Sequence, residues 1–67
     1  MRYQITLNGS GDSLSIQHKA SETADFKEIG RLKPDKSHGM VAEFFQPVPV
    51  ADLRGLTRLI EEVVIRL

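Results

Sequence analysis

The sequence predicts an α+β domain: an antiparallel meander of about four strands, with one C-terminal amphipathic helix packed on one face. Apolar and polar residues alternate with period two over residues 2–8 and 13–19, which is typical of strands with one buried face. From Pro49 to Leu67 the apolar residues recur instead at helical spacing. The chain has 67 residues, so these elements are expected to form a single domain over residues 1–67.

Residues 2–8 and 13–19 are predicted to form the first hairpin. The connecting Asn8-Gly9-Ser10-Gly11-Asp12 is rich in residues that tolerate positive φ, as hairpin loops require. The residues predicted to point toward the helix are Tyr3, Ile5 and Leu7 in the first strand and Leu14, Ile16 and His18 in the second.

Residues 20–39 permit two interpretations. Phe26, Ile29 and Leu32 are spaced by three, which favours a helix and a ββαβα order. In the preferred interpretation, 26–33 is instead a strand followed by a hairpin loop over 33–39, which makes the order ββββα. The next strand, residues 40–46, ends before Pro47.

Two adjacent phenylalanines in this last strand must point to opposite faces, because side chains alternate along a strand. Phe44 shares parity with Met40 and Ala42, so it is assigned to the core. Phe45 is assigned, with Glu43, to the face turned away from the helix.

The C-terminal segment is predicted to be a helix that covers the sheet. Pro49 suits its first position and Asp52 complements the positive end of the helix dipole. Ile65 departs from the pattern, since it falls on the charged side. The predicted buried face comprises Leu53, Leu56, Leu59, Ile60, Val63, Val64 and Leu67.

Composition excludes several kinds of chemistry. The chain has no cysteine, so disulfides, thiolate metal sites and a cysteine nucleophile are ruled out. His18 and His38, even with Asp12, Asp35 or Glu43, have no recognised metal-ligand spacing. We therefore expect no metal, no cofactor and no enzymatic activity.

Two motifs superficially suggest catalysis or phosphate binding. Ser37-His38 with Asp35 contains the residue types of a catalytic triad, but loop neighbours rarely reach the required geometry. Gly9-Ser10-Gly11 precedes a strand, whereas a phosphate loop precedes a helix. Both are better interpreted as turns. No targeting signal or membrane span is evident, so a cytoplasmic location is expected.

The distribution of charge suggests one possible binding surface. The formal net charge is zero, yet the predicted outer sheet face carries mostly basic side chains, with Glu43 as the only acid. Such a face could bind single-stranded nucleic acid, with one aromatic ring for base stacking. The residues predicted for this surface are Arg2, Lys19, Lys27, Arg31, Lys33 and Phe45.

The leading functional hypothesis is a small interaction module that acts through protein contacts, as a homodimer. A domain of about 60 residues buries too little surface for ample stability, and this one has neither disulfides nor an evident metal site. A single helix also leaves the opposite sheet face uncovered. The residues predicted for the interface are Ile29, Val41 and Phe45 on that face and Ile65 on the helix.

Overall fold

A computed structural model describes residues 2–7 and 13–66 of the chain. It has the predicted ββββα order, with four antiparallel strands arranged in the sheet in the order of the chain. The predicted loop over residues 8–12 lies outside the described residues. The elements are β1 (Tyr3–Leu7), β2 (Leu14–His18), β3 (Lys27–Asp35), β4 (Gly39–Phe44) and α1 (Val50–Arg66).

A β-bulge in β3 changes which side chains face the core. Ile16 of β2 pairs with Gly30, whereas its neighbour Gln17 pairs with Glu28, so Ile29 is an extra residue with no partner in β2. Ile29 is consequently turned into the core and is only 3% exposed. The prediction that Ile29 lies on the exposed face is wrong, because it assumed unbroken alternation along β3.

Close contact between β3 and β4 explains the glycine beside the bulge. A Cβ atom built on Gly30 would lie 2.6 Å from the carbonyl oxygen of Glu43 and 3.0 Å from the Phe44 ring. Any side chain would therefore push β4 away at this point. The bulge and the glycine form one local feature.

The connection between β3 and β4 is shorter than the loop predicted over 33–39. The strands extend to Asp35 and Gly39, which pair with each other, and Gly39 has the left-handed φ of 79° that glycine tolerates. Pro34 lies within β3 but beyond the paired part of β2, whose last partner in that direction is Leu32. Its partner in β4, Met40, is at a non-hydrogen-bonded position, because the hydrogen bond from Phe45 N–H to the Ile29 carbonyl fixes the alternation. The missing N–H of Pro34 therefore removes no ladder hydrogen bond.

The hydrophobic core lies between the two central strands and α1. Partly buried residues from β1, β4 and the helix pack around it, including Tyr3, Ile5 and Ile60. The buried apolar residues are Leu14, Ile16, Ile29, Leu32 and Leu56.

Among the described residues, three that were predicted to be buried are exposed; Leu67, also predicted to be buried, lies outside the described residues. Leu7 is 74% exposed at the end of β1. Phe44 is 37% exposed although it has the predicted parity, and Leu53 is also exposed. The reason is geometric: α1 has 17 residues and a length of about 26 Å, so one helix cannot cover both edge strands along their full length.

No helix in the described part of the chain is long and apolar enough to cross a membrane.

Removal of the buried part of the Leu56 side chain should strongly destabilise the fold. Leu56 is the one buried residue of α1, so Leu56→Ala leaves a cavity and should cost about 2–5 kcal/mol. The neighbouring exposed Thr57→Ala should change the free energy of unfolding by less than about 0.5 kcal/mol. Chemical denaturation of both variants tests this, and equal effects would contradict the assigned helix face.

Candidate interaction surfaces

An apolar groove runs between β4 and the C-terminal half of α1. Its volume is ≈ 340 Å³. Among the described residues that line it, Glu61 is the only charged one. The apolar lining comprises Leu32, Met40, Val41, Ala42, Ile60, Val64 and Ile65. Apolar surface of this kind is typical of sites where another protein binds.

Exposed apolar side chains occur in the groove and at the end of β4. Ile65 lines the groove and is 83% exposed, while Phe44, the last residue of β4, and Phe45, which follows it, are exposed as well. The backbone N–H of Phe45 donates a hydrogen bond to the carbonyl of Ile29, 2.8 Å away. The predicted interface residues Val41, Phe45 and Ile65 thus lie on the β4 side of the molecule, whereas Ile29 is in the core.

The edge strand β4 presents backbone groups to solvent. The Phe45–Ile29 hydrogen bond fixes which pairs of β3 and β4 exchange hydrogen bonds, because such pairs alternate in antiparallel sheets. The alternation turns the N–H and C=O groups of Met40, Ala42 and Phe44 away from β3. An edge of this kind is a template on which a further strand can pair.

The outer sheet face carries a continuous hydrogen-bond network. Gln4 Nε2 donates to Gln17 Oε1 at 2.7 Å, and Gln17 Nε2 donates to Ser15 Oγ at 3.3 Å. Ser15 Oγ in turn donates to Glu28 Oε2 at 2.6 Å, and Arg31 donates to Glu28 Oε1 at 3.2 Å. The hydrogen bonds from Ser15 and then Arg31 lower the pKa of Glu28, so this carboxylate remains ionised at neutral pH.

Two acidic residues balance the cations of this face. The bulge places Glu28 on the outer face, so the prediction that Glu43 is its only acid is wrong. Arg31 pairs with Glu28, and Lys33 pairs with Glu43 at 2.8 Å, which lowers the pKa of Glu43. Arg31 also lies over the Phe45 ring, 5.5 Å from its centroid.

The other predicted phosphate-binding cations do not extend this face into a uniform basic surface. Lys27 pairs with His18, so the bulge places it on the helix side of the sheet, which corrects its predicted position. Lys19 lies over the Phe26 ring at 5.3 Å, and Arg2 donates to the carbonyl of Ala20 at 3.2 Å. These cations are therefore dispersed, and Arg2 and Lys19 are engaged in contacts within the chain.

A second groove, more polar than the first, lies between β1, β2 and the start of α1, with a volume of ≈ 310 Å³. Tyr3 donates its hydroxyl proton to Asp52 Oδ2 at 2.7 Å, and its ring lies 4.7 Å from that of His18. Burial, followed by the hydrogen bond and charge of Asp52, raises the pKa of Tyr3 to about 12. A phenol that holds its proton so firmly is a poor base at neutral pH, and this contact chiefly fastens the helix to β1.

The Ser37-His38-Asp35 motif forms a turn, in keeping with its preferred interpretation. Asp35 Oδ2 accepts hydrogen bonds from the backbone N–H groups of Ser37 and His38, at 3.1 and 3.0 Å. The same oxygen lies 2.9 Å from His38 Nδ1, and this contact lowers the pKa of Asp35. The carboxylate thus closes the β3–β4 turn.

Comparison with protein-family models, with curated proteins and with solved structures finds no match to this chain. In the described ranges, no group of three or more His, Asp or Glu side chains is arranged to hold a metal ion.

The pKa of Tyr3 provides a test of the contact that fastens the helix to β1. Tyr3 is the one tyrosine in the sequence, which has no tryptophan, so tyrosinate absorbance reports it without overlap. We expect the phenol to titrate at about 12 rather than 10. The stabilisation is then fully present below pH 10 and is lost as the pH rises toward 12.

Asp52→Asn is the matched control, because it removes the charge while keeping the side-chain shape. It should lower the pKa of Tyr3 only part of the way toward 10, because burial, the largest cause of the shift, remains. A parent protein that already titrates near 10 would show that Tyr3 is neither buried nor in contact with Asp52 in solution.

Proposed function

We propose that this protein is a small non-enzymatic interaction module that acts as a homodimer through protein–protein contacts. The observation that carries the proposal is the apolar groove beside β4, whose lining includes the exposed Ile65. A surface with this composition gains free energy when a partner removes it from water, at about 25 cal/mol per Å² of apolar area.

The small core supports a second copy as the partner. Among the described residues, five apolar side chains are buried. Domains of this size commonly gain the missing stability from disulfides, metals or subunit contacts. The chain has no cysteine, so subunit contacts are one of the remaining routes. Twofold pairing is the commonest arrangement among homo-oligomers.

Single-stranded nucleic-acid binding is less well supported by the geometry. Phosphate binding requires cationic side chains that are free to contact the nucleic-acid backbone and to release the counterions condensed on it. Here Arg31 and Lys33 are paired with carboxylates, and Lys27 is on the other side of the sheet. We therefore favour protein contacts as the function.

Light scattering at micromolar concentration tests the proposal. The chain has a mass of 7.5 kDa, so we expect a particle of twice that mass. Ile65→Lys should shift the mass to that of the monomer, because it introduces an unpaired charge beside the apolar groove. Val50→Lys is the matched control, since Val50 is equally exposed, at 83%, at the other end of the same helix.

A parent protein with the monomer mass over the whole accessible concentration range would contradict the proposal. An unchanged dimer in Ile65→Lys would show that the groove is not the interface. Binding of a labelled single-stranded oligonucleotide whose affinity falls steeply with salt would favour nucleic acid instead.

A further inference from the structure

We infer that two copies of this chain pair through their β4 strands, antiparallel and centred on Ala42, to form one continuous sheet. This inference rests on the proposed homodimer and specifies its geometry. The partner strand would extend the sheet beyond β4, which is an edge strand in the order β1-β2-β3-β4.

The backbone groups of β4 are arranged for this pairing. Met40, Ala42 and Phe44 turn their N–H and C=O groups away from β3, as the Phe45–Ile29 hydrogen bond establishes. In an antiparallel pair centred on Ala42, Ala42 exchanges hydrogen bonds with Ala42 of the partner subunit. Met40 exchanges them with Phe44 of the partner subunit, and the symmetry repeats that pair.

Side chains favour this register over its neighbours. The small Ala42 fits at a twofold axis, and the exposed ring of Phe44 would lie beside Met40 of the partner subunit. A shift toward Glu43 would place two carboxylates directly opposite each other, which is destabilising. A shift toward Val41 would leave Phe44 opposite His38 of the partner subunit, outside the strand.

The other edge strand, β1, has a less suitable environment. Its neighbouring groove is lined by the charged or polar side chains of Arg2, His18 and Asp52. Beside β4, by contrast, the groove is apolar and the exposed Ile65 lies along it. Pairing through β4 keeps both helices on the same face of the extended sheet, so the two apolar grooves approach the same twofold axis.

Single cysteine variants test the register directly, because the chain has no cysteine of its own. Cα atoms in a hydrogen-bonded antiparallel pair are about 5.5 Å apart, within the range of a disulfide. We expect Ala42→Cys to form a covalent dimer under mild oxidation. Val41→Cys and Glu43→Cys should react more slowly, because each would be offset from its own copy by about 6.8 Å along the strand.

A backbone variant provides a second readout. Ala42→Pro removes an N–H that β3 does not use, so the fold should persist by circular dichroism while the mass falls to that of the monomer. Ala42→Ser keeps the N–H and should remain dimeric.

The outcomes separate this inference from the proposed function. A dimeric parent in which Val41→Cys, Glu43→Cys or the β1 variant Ile5→Cys cross-links fastest would overturn the register or the edge and leave the homodimer intact. A dimer that Ala42→Pro does not disrupt would likewise overturn pairing through β4. A monomeric parent would contradict the proposed function itself.

Discussion

The bulge in β3 is the constraint on which the rest of the structure depends. One extra residue between the partners of Ile16 and Gln17 reverses the inward and outward positions along the strand. It turns Ile29 into the core beside Leu32, and it requires glycine at position 30, where β4 passes within contact distance. A central strand without this feature would direct Ile29 to solvent and remove one of the largest side chains from a small core.

The same feature determines the chemistry of the outer face. The bulge places Lys27 on the helix side of the sheet and Glu28 on the outer face. Arg31 and Lys33 therefore share the outer face with Glu28 and Glu43, and each of these two cations pairs with one carboxylate. Ser15 is buried on this face, and its hydroxyl joins Gln17 to Glu28 in the hydrogen-bond network. The outer face is thus a hydrogen-bonded polar surface of mixed charge. The apolar groove lies instead at the β4 edge.

Much of the architecture could be predicted from the sequence, because periodicity is local information. Alternation predicted β1 and β2, and helical spacing predicted α1. The bulge was missed because the strand interpretation assumed unbroken alternation, although Ile29 and Leu32 are three residues apart. The close approach of β4 to Gly30 could not be predicted either, because it involves residues distant in the chain. A glycine inside a predicted strand was the available signal. The sequence predicted only part of the apolar groove. Val41 and Ile65 were predicted as interface residues, whereas Met40 and Ala42 were not. The exposure of residues at a sheet edge depends on where the helix ends, which periodicity alone does not determine.

The unfolding free energy of Ile29→Ala tests the central role of the bulge most directly. If the bulge turns Ile29 into the core, the variant leaves a buried cavity and should lose about 2–5 kcal/mol of stability. Measurement by chemical denaturation at a fixed protein concentration would detect this as a lower midpoint with an unchanged slope. A loss below about 0.5 kcal/mol would mean that Ile29 faces solvent, that β3 alternates without interruption and that the account of both sheet faces is wrong.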